Sequence, residues 1–66
     1  MRKKLKMARL VKDIGVGKMS EMLGINRQSY YKIERGISCP KLEVWKKIQD
    51  ILELRDEEMW EVIKGE

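Results

Sequence analysis

A glycine at position 24 splits the stretch from Met19 to Gly36 into two short helical patterns, and that corner constrains the rest of the chain. Met19 and Leu23 stand at i, i+4, with Met22 beside them. Gly24 falls where a left-handed residue would close the first helix, because glycine has no Cβ to clash there. Ile25 follows as an apolar plug for the turn. Asn26 is a good N-cap, since its side-chain oxygen can accept from the free N–H groups of the next turn. Tyr30 and Ile33 then recur at i, i+3 on the back of a second helix. Its front carries Arg27, Gln28, Ser29, Tyr31 and Lys32, hydrogen-bonding side chains with no negative charge among them. The pattern predicts a helix-turn-helix over about residues 16–35, with the second helix over about 27–34.

The remaining apolar positions also follow helical spacing. Helix one is expected over about 3–12, with Leu5, Ala8 and Val11 inward and Ile14 seating the next turn. Helix two is expected from Val16, with Gly15 as its N-cap and Gly17 weakening its first turn. Gly36 suits the C′ position of helix three. After the loop of residues 37–40, Pro40 leads into helix four over about 41–52, with Leu42, Trp45, Ile48, Ile51 and Leu52 inward. Leu54 plugs the next turn, Asp56 is expected to cap a last helix, and Met59, Trp60 and Ile63 are its apolar positions. Glu57 and Glu58 suit the dipole of its first turn. With no strand signal, the expected architecture is all-α: five short helices in one compact domain over residues 1–66.

Composition narrows the function. Sixty-six residues bury little core, so several helix faces must share one centre. The apolar share of 42% beside 39% charged residues fits a compact helical protein rather than a disordered one. No window approaches the roughly 18 unbroken apolar residues of a membrane span. No apolar run follows the basic start, so no signal peptide is expected. The chain has no histidine and one cysteine, Cys39, which excludes an internal disulfide and leaves a structural zinc site without ligands. A reducing cytoplasm is the expected compartment. The chain also has no glycine-rich phosphate loop, no paired carboxylates in an apolar setting and no histidine to activate Cys39, so no enzymatic activity, cofactor or small-molecule ligand is expected.

The net charge of +4 is unevenly distributed. Residues 1–36 hold ten basic residues against three acidic, a net of +7; residues 37–66 hold five against eight, a net of −3. The basic half contains the helix-turn-helix. That asymmetry fits a polyanion on one side of the molecule, or a solvated lysine-rich surface. Together with the helix-turn-helix, it points to a second helix presented to a DNA groove.

Several ordered features resemble the Cro/C1-type helix-turn-helix domains, the XRE-like family of phage repressors and small bacterial regulators. They are Arg9 near the end of helix one, Met19-Ser20-x-x-Leu23-Gly24-Ile25, Asn26-Arg27-Gln28-Ser29-Tyr30, Lys32-Ile33-Glu34-Arg35-Gly36, Pro40 before Leu42, and Leu52-x-Leu54. The resemblance spans about residues 3–63 and implies a compact five-helix lambda-repressor-like DNA-binding fold. Four positions depart from the family pattern. Gly15 and Val16 stand where a small hydroxyl residue and a glutamine usually open helix two. Val16 thereby removes an expected phosphate contact, for which Lys18 and the backbone N–H groups are candidate replacements. Ser20 replaces a usual alanine, and Arg55 stands where a Ser or Thr cap is usual.

The resemblance implies base contacts from Arg27, Gln28 and Lys32. Their chemistry agrees, because Arg and Lys donate to guanine O6 and N7 and Gln can bridge adenine N6 and N7. Ser29 and Tyr31 share that front, either as base or phosphate contacts or as plain surface. Asn26, Arg35, Lys41 and Lys18 are phosphate candidates, with ordinary surface charge as the alternative for Arg35 and Lys41. Arg9 and Glu34 match the family's partly buried ion pair. The start of the chain, Arg2, Lys3, Lys4 and Lys6, reaches DNA or keeps the protein soluble, and solubility is slightly favoured. A domain this small gains affinity by pairing. The expectation is a homodimer contacting through the C-terminal half near Trp60 and Ile63, reading a palindromic operator as a repressor by occlusion. The alternative is a protein-interaction module of the same fold, an antitoxin or coregulator with a protein partner and secondary DNA binding.

Overall fold

The computed structural model describes residues 1–65; Glu66, counted in the charge balance and in the expected 1–66 domain, lies outside them. Five helices follow one another: α1 (Lys3–Val11), α2 (Val16–Leu23), α3 (Arg27–Arg35), α4 (Leu42–Leu52) and α5 (Asp56–Lys64). There is no strand among the described residues. The all-α architecture read from the sequence is the one observed.

The corners explain this regularity. Gly24 adopts φ 73° and ψ 26°, the Gly24 N–H donates to Glu21 O at 3.1 Å, and the Ile25 N–H donates to Ser20 O at 3.0 Å. This pair of bonds satisfies the last carbonyls of α2 in a Schellman motif. The same pair closes α3 at Gly36, from Gly36 N–H to Ile33 O and from Ile37 N–H to Lys32 O. The motif recurs after α1 at Asp13 (φ 57°) and after α4 at Glu53 (φ 54°), where a side chain makes the left-handed conformation costly by about 1–2 kcal/mol. Glu53 is ion-paired to Lys12, so the two strained turns are tied to each other. Between α2 and α3, Asn26 Oδ1 accepts from the Ser29 N–H at 2.8 Å, the N-cap expected of it.

One core joins all five helices: Leu5, Met19, Leu23, Tyr30, Ile33, Trp45, Ile48, Leu52, Met59 and Val62. Ala8, Ile14, Val16, Ile25, Val44, Ile51, Leu54 and Ile63 pack around it. Helix α3 rests on α2 and α1, and α5 lies against α1. Four expectations are corrected here. Val11 is 83% exposed, because i, i+6 places it about 120° around the helix from Leu5; Arg9, at i+4, takes the inward place. Leu42 is 66% exposed at the first turn of α4, and Val44 packs inward instead. Asp56 is the first residue of α5 rather than its cap. Arg55 holds the N-cap position, and its backbone N–H donates to Glu58 Oε1 at 3.0 Å. Arg2 is buried rather than a solvating charge.

Candidate nucleic-acid interface

The back of α3 is held from three directions. Tyr30 and Ile33 are buried in the core. Glu34, in the last turn, accepts from Arg9 Nε at 2.6 Å and from Arg9 Nη2 at 3.4 Å, and Arg9 Nη1 donates to Ile14 O at 2.8 Å. The Glu34 hydrogen bond raises the Arg9 pKa above its already high ordinary value, so the guanidinium stays charged. Burial pushes the neighbouring Tyr30 phenol far above its ordinary value, with the Glu34 carboxylate adding to the effect. The Tyr30 hydroxyl makes no hydrogen bond among the described residues.

Arg2 is the third anchor, and sequence reasoning missed it. Its Nη1 donates to Ile33 O at 2.6 Å and to Ser38 O at 2.8 Å, which satisfies carbonyls at the end of α3 and in the following loop. Its Nε reaches Ile63 O at 3.4 Å, and the guanidinium lies 5.1 Å from the Trp45 ring centroid, a cation–π distance. The Arg2 N–H also donates to Glu34 O at 2.7 Å. In sequence this arginine looks like one of four basic residues at the start of the chain. Only its contacts with Ile33, Ser38, Trp45 and Ile63, all far along the chain, separate it from them, and local pattern carries no such signal.

The front of α3 is free. Arg27, Gln28, Ser29, Tyr31, Lys32 and Arg35 are all exposed. No side chain of Arg27, Gln28, Tyr31, Lys32 or Arg35 is engaged in a hydrogen bond or ion pair among the described residues. Gln28, Tyr31, Lys32 and Arg35 line a shallow recess of about 280 Å³. Of the five base-reading candidates, Gln28, Tyr31 and Lys32 therefore share one open strip with Arg35 at its far end, while Arg27 and Ser29, about 160° apart around the helix, stand at its two edges. The Arg27 guanidinium lies against Gly17 of α2. Asn26 is exposed at the start of α3, and its side-chain oxygen is already used by the cap. Lys41 is exposed at the N-cap of α4. Lys18 is exposed and 3.8 Å from Glu21. Trp60 is 62% exposed on α5, and Ile63 is half-buried beside the core.

A short helix at a glycine corner, buried on one side and basic and unpaired on the other, defines a helix-turn-helix DNA-binding domain. The Helix-turn-helix family matches residues 2–59, and the chain belongs to that family in its Cro/C1-type, XRE-like form. Domains of this family serve DNA-binding transcriptional regulators. The chain is also similar, at 41% identity over 49 residues, to a protein of Aeropyrum pernix named "Putative HTH-type transcriptional regulatory protein". The matched segment is 74% of this chain and 15% of that relative, so the chain spans a small part of that protein's length. No solved structure matches the chain. Among the described residues, no helix is long and apolar enough to cross a membrane.

Proposed function

We propose that the protein is a sequence-specific double-stranded DNA-binding regulator that acts as a cytoplasmic repressor by occluding its operator. Helix α3 enters the major groove, where Arg27, Gln28 and Lys32 read base edges and Ser29 and Tyr31 contribute from the same strip. Asn26, Lys18, Arg35 and Lys41 hold phosphates and fix the register. Arg9 and Glu34 serve the site indirectly, by fixing the angle of α3 on the core. Two copies, meeting through α5 near Trp60 and Ile63, read two half-sites about 34 Å apart. The observation that carries this reading is the free polar-basic front of α3, directly opposite a back fixed by buried side chains.

The test is selection of bound sequences from a random duplex pool at near-physiological salt, with wild type and Arg27→Ala/Gln28→Ala in parallel. An enriched symmetric site that is lost or relaxed in the double variant is the expected result. Weak binding that salt abolishes and the variant leaves unchanged would reduce the basic half to a general polyanion patch. A second reading, a protein-interaction module, draws on the exposed Trp60 in an α5 whose first turn holds Asp56, Glu57 and Glu58. That reading takes first place if the selection yields no site.

A further inference from the structure

We infer that Gly17 is a specificity-determining positioning residue, which presets Arg27 by giving its guanidinium a flat seat on the first turn of α2. The inference rests on the base-reading role proposed above for Arg27.

Gly17 lies inside α2 and has no left-handed φ, so the backbone there does not require glycine. Glycine also weakens a helix interior relative to alanine. What separates this position from an ordinary helical one is its neighbour. A Cβ built on Gly17 would stand 2.6 Å from Arg27 Nη2 and 3.0 Å from both Arg27 Cζ and Nε. The same construction at Gly15 meets nothing within 4 Å. The group that a methyl would strike is the end of a flexible, exposed side chain. Displacing it costs the fold little and moves only Arg27.

Arg27 needs such a seat. It is the first residue of α3, next to the Asn26 cap, so its backbone is fixed while its long side chain would otherwise sweep solvent. Arginine loses much rotamer freedom when it is held, and a planar guanidinium retains its fork geometry only if something sets its plane. The first turn of α2 does not hold the cation by charge, because the positive end of the helix dipole opposes it. Shape complementarity to a residue without a Cβ holds it instead. The guanidinium has no anionic partner in the free protein, so it is restrained in direction and available to a base edge.

The experiment is a double-mutant cycle on the site enriched by the wild-type protein. Affinities are measured at one salt concentration for wild type, Gly17→Ala, Arg27→Ala and the double variant, on that site and on single-base-pair variants of it. Gly17→Ala is expected to keep the helical circular dichroism and raise Tm. It should lose about tenfold in specific affinity, and its base preference should flatten at the pair that Arg27→Ala also flattens. In the Arg27→Ala background the same change should alter affinity by less than about twofold. Additive losses, or a Gly17→Ala profile identical to wild type, would overturn the inference while leaving the base-reading proposal intact. Arg27→Lys, made with Gly17 in place, gives an independent arm: lysine has no plane to seat, so it should lose the preference although the charge is kept. Full retention by lysine overturns the inference as well. If the wild type enriches no site, the base-reading proposal falls and the inference falls with it, a result distinct from additivity on an enriched site.

Discussion

The Arg9 guanidinium and the Glu34 carboxylate meet at 2.6 Å with side-chain exposures of 7% and 5%, joining α1 to the last turn of α3 away from water. In that setting their attraction is weakly screened, but each charge alone would be stranded without hydration. The pair therefore decides how α3 leans on the core, and through that lean where its exposed front points.

Removing one partner should be far worse than removing both. Glu34→Ala or Arg9→Ala is expected to cost about 3–5 kcal/mol, since the remaining charge stays buried. A domain of this size seldom has more than about 3–5 kcal/mol in total, so either variant should be largely unfolded at 25 °C. Arg9→Met/Glu34→Leu should recover most of the loss. Urea titrations followed by circular dichroism check this, and a single variant with wild-type stability would refute it.

Arg2 should behave as an interior residue. Arg2→Ala removes two short bonds to Ile33 O and Ser38 O and the stack on Trp45, and is expected to cost about 2–3 kcal/mol. Lys3→Ala, one residue away on the surface, should stay within about 0.5 kcal/mol of wild type. Thermal melts of the two variants side by side decide between a structural arginine and a merely solvating one.

The alkaline limb of stability should belong in large part to Tyr30. Burial first, and then the Glu34 carboxylate, raise the folded-state phenol above its unfolded value of 10.0. A group whose folded pKa is raised contributes stability that is fully present below the unfolded pKa and is lost as pH rises toward the folded one. Above pH 10 the Tyr30 contribution should therefore fall by about 1.4 kcal/mol per pH unit. Tyr30→Phe should be within about 1 kcal/mol of wild type at pH 7, because the hydroxyl has no hydrogen bond to lose, and should be the more stable protein at pH 11. Denaturation at the two pH values tests both halves of this statement.

Phosphate contacts and base contacts should separate by salt. Arg35→Ala and Lys41→Ala are each expected to weaken binding uniformly across sequences and to reduce the slope of log K against log salt by about 0.9. Lys32→Ala should instead relax preference at a particular base pair. Titrations of specific and scrambled duplexes at several salt concentrations distinguish these outcomes; an unchanged slope for Arg35→Ala and Lys41→Ala would remove them from the phosphate set.

Pairing should run through α5. Trp60→Ala is expected to leave the fold and the single half-site affinity near wild type, and to abolish the gain from a second correctly spaced half-site. Sedimentation at tens of micromolar, with and without operator, reports the assembly. A wild type that stays monomeric under both conditions would exclude the dimer.

Most of the fold was legible because its determinants are local. Gly24 and Gly36 accept the left-handed turn, Asn26 caps α3, and Tyr30 and Ile33 repeat at helical spacing, all within a few residues. The errors came where neighbouring apolar residues competed for one face. Val11 and Leu42 are apolar and near the expected stripe, but their angles on α1 and α4 turn them to solvent while Arg9 and Val44 go inward. At α5 the cap fell on Arg55, because Glu58 reaches back to its backbone N–H, a bond that residue type alone does not select.

The candidate site divides in the same way. The sequence by itself determined that a polar-basic strip would lie opposite an apolar back on one short helix, since helical periodicity sorts side chains without reference to the rest of the molecule. Only the tertiary structure decided that Arg2 belongs to the interior and that Arg27 rests on Gly17. Arg2 meets carbonyls 31, 36 and 61 residues away. Contacts of that separation depend on how five helices pack around one core, and packing is a property of the whole chain rather than of any segment of it.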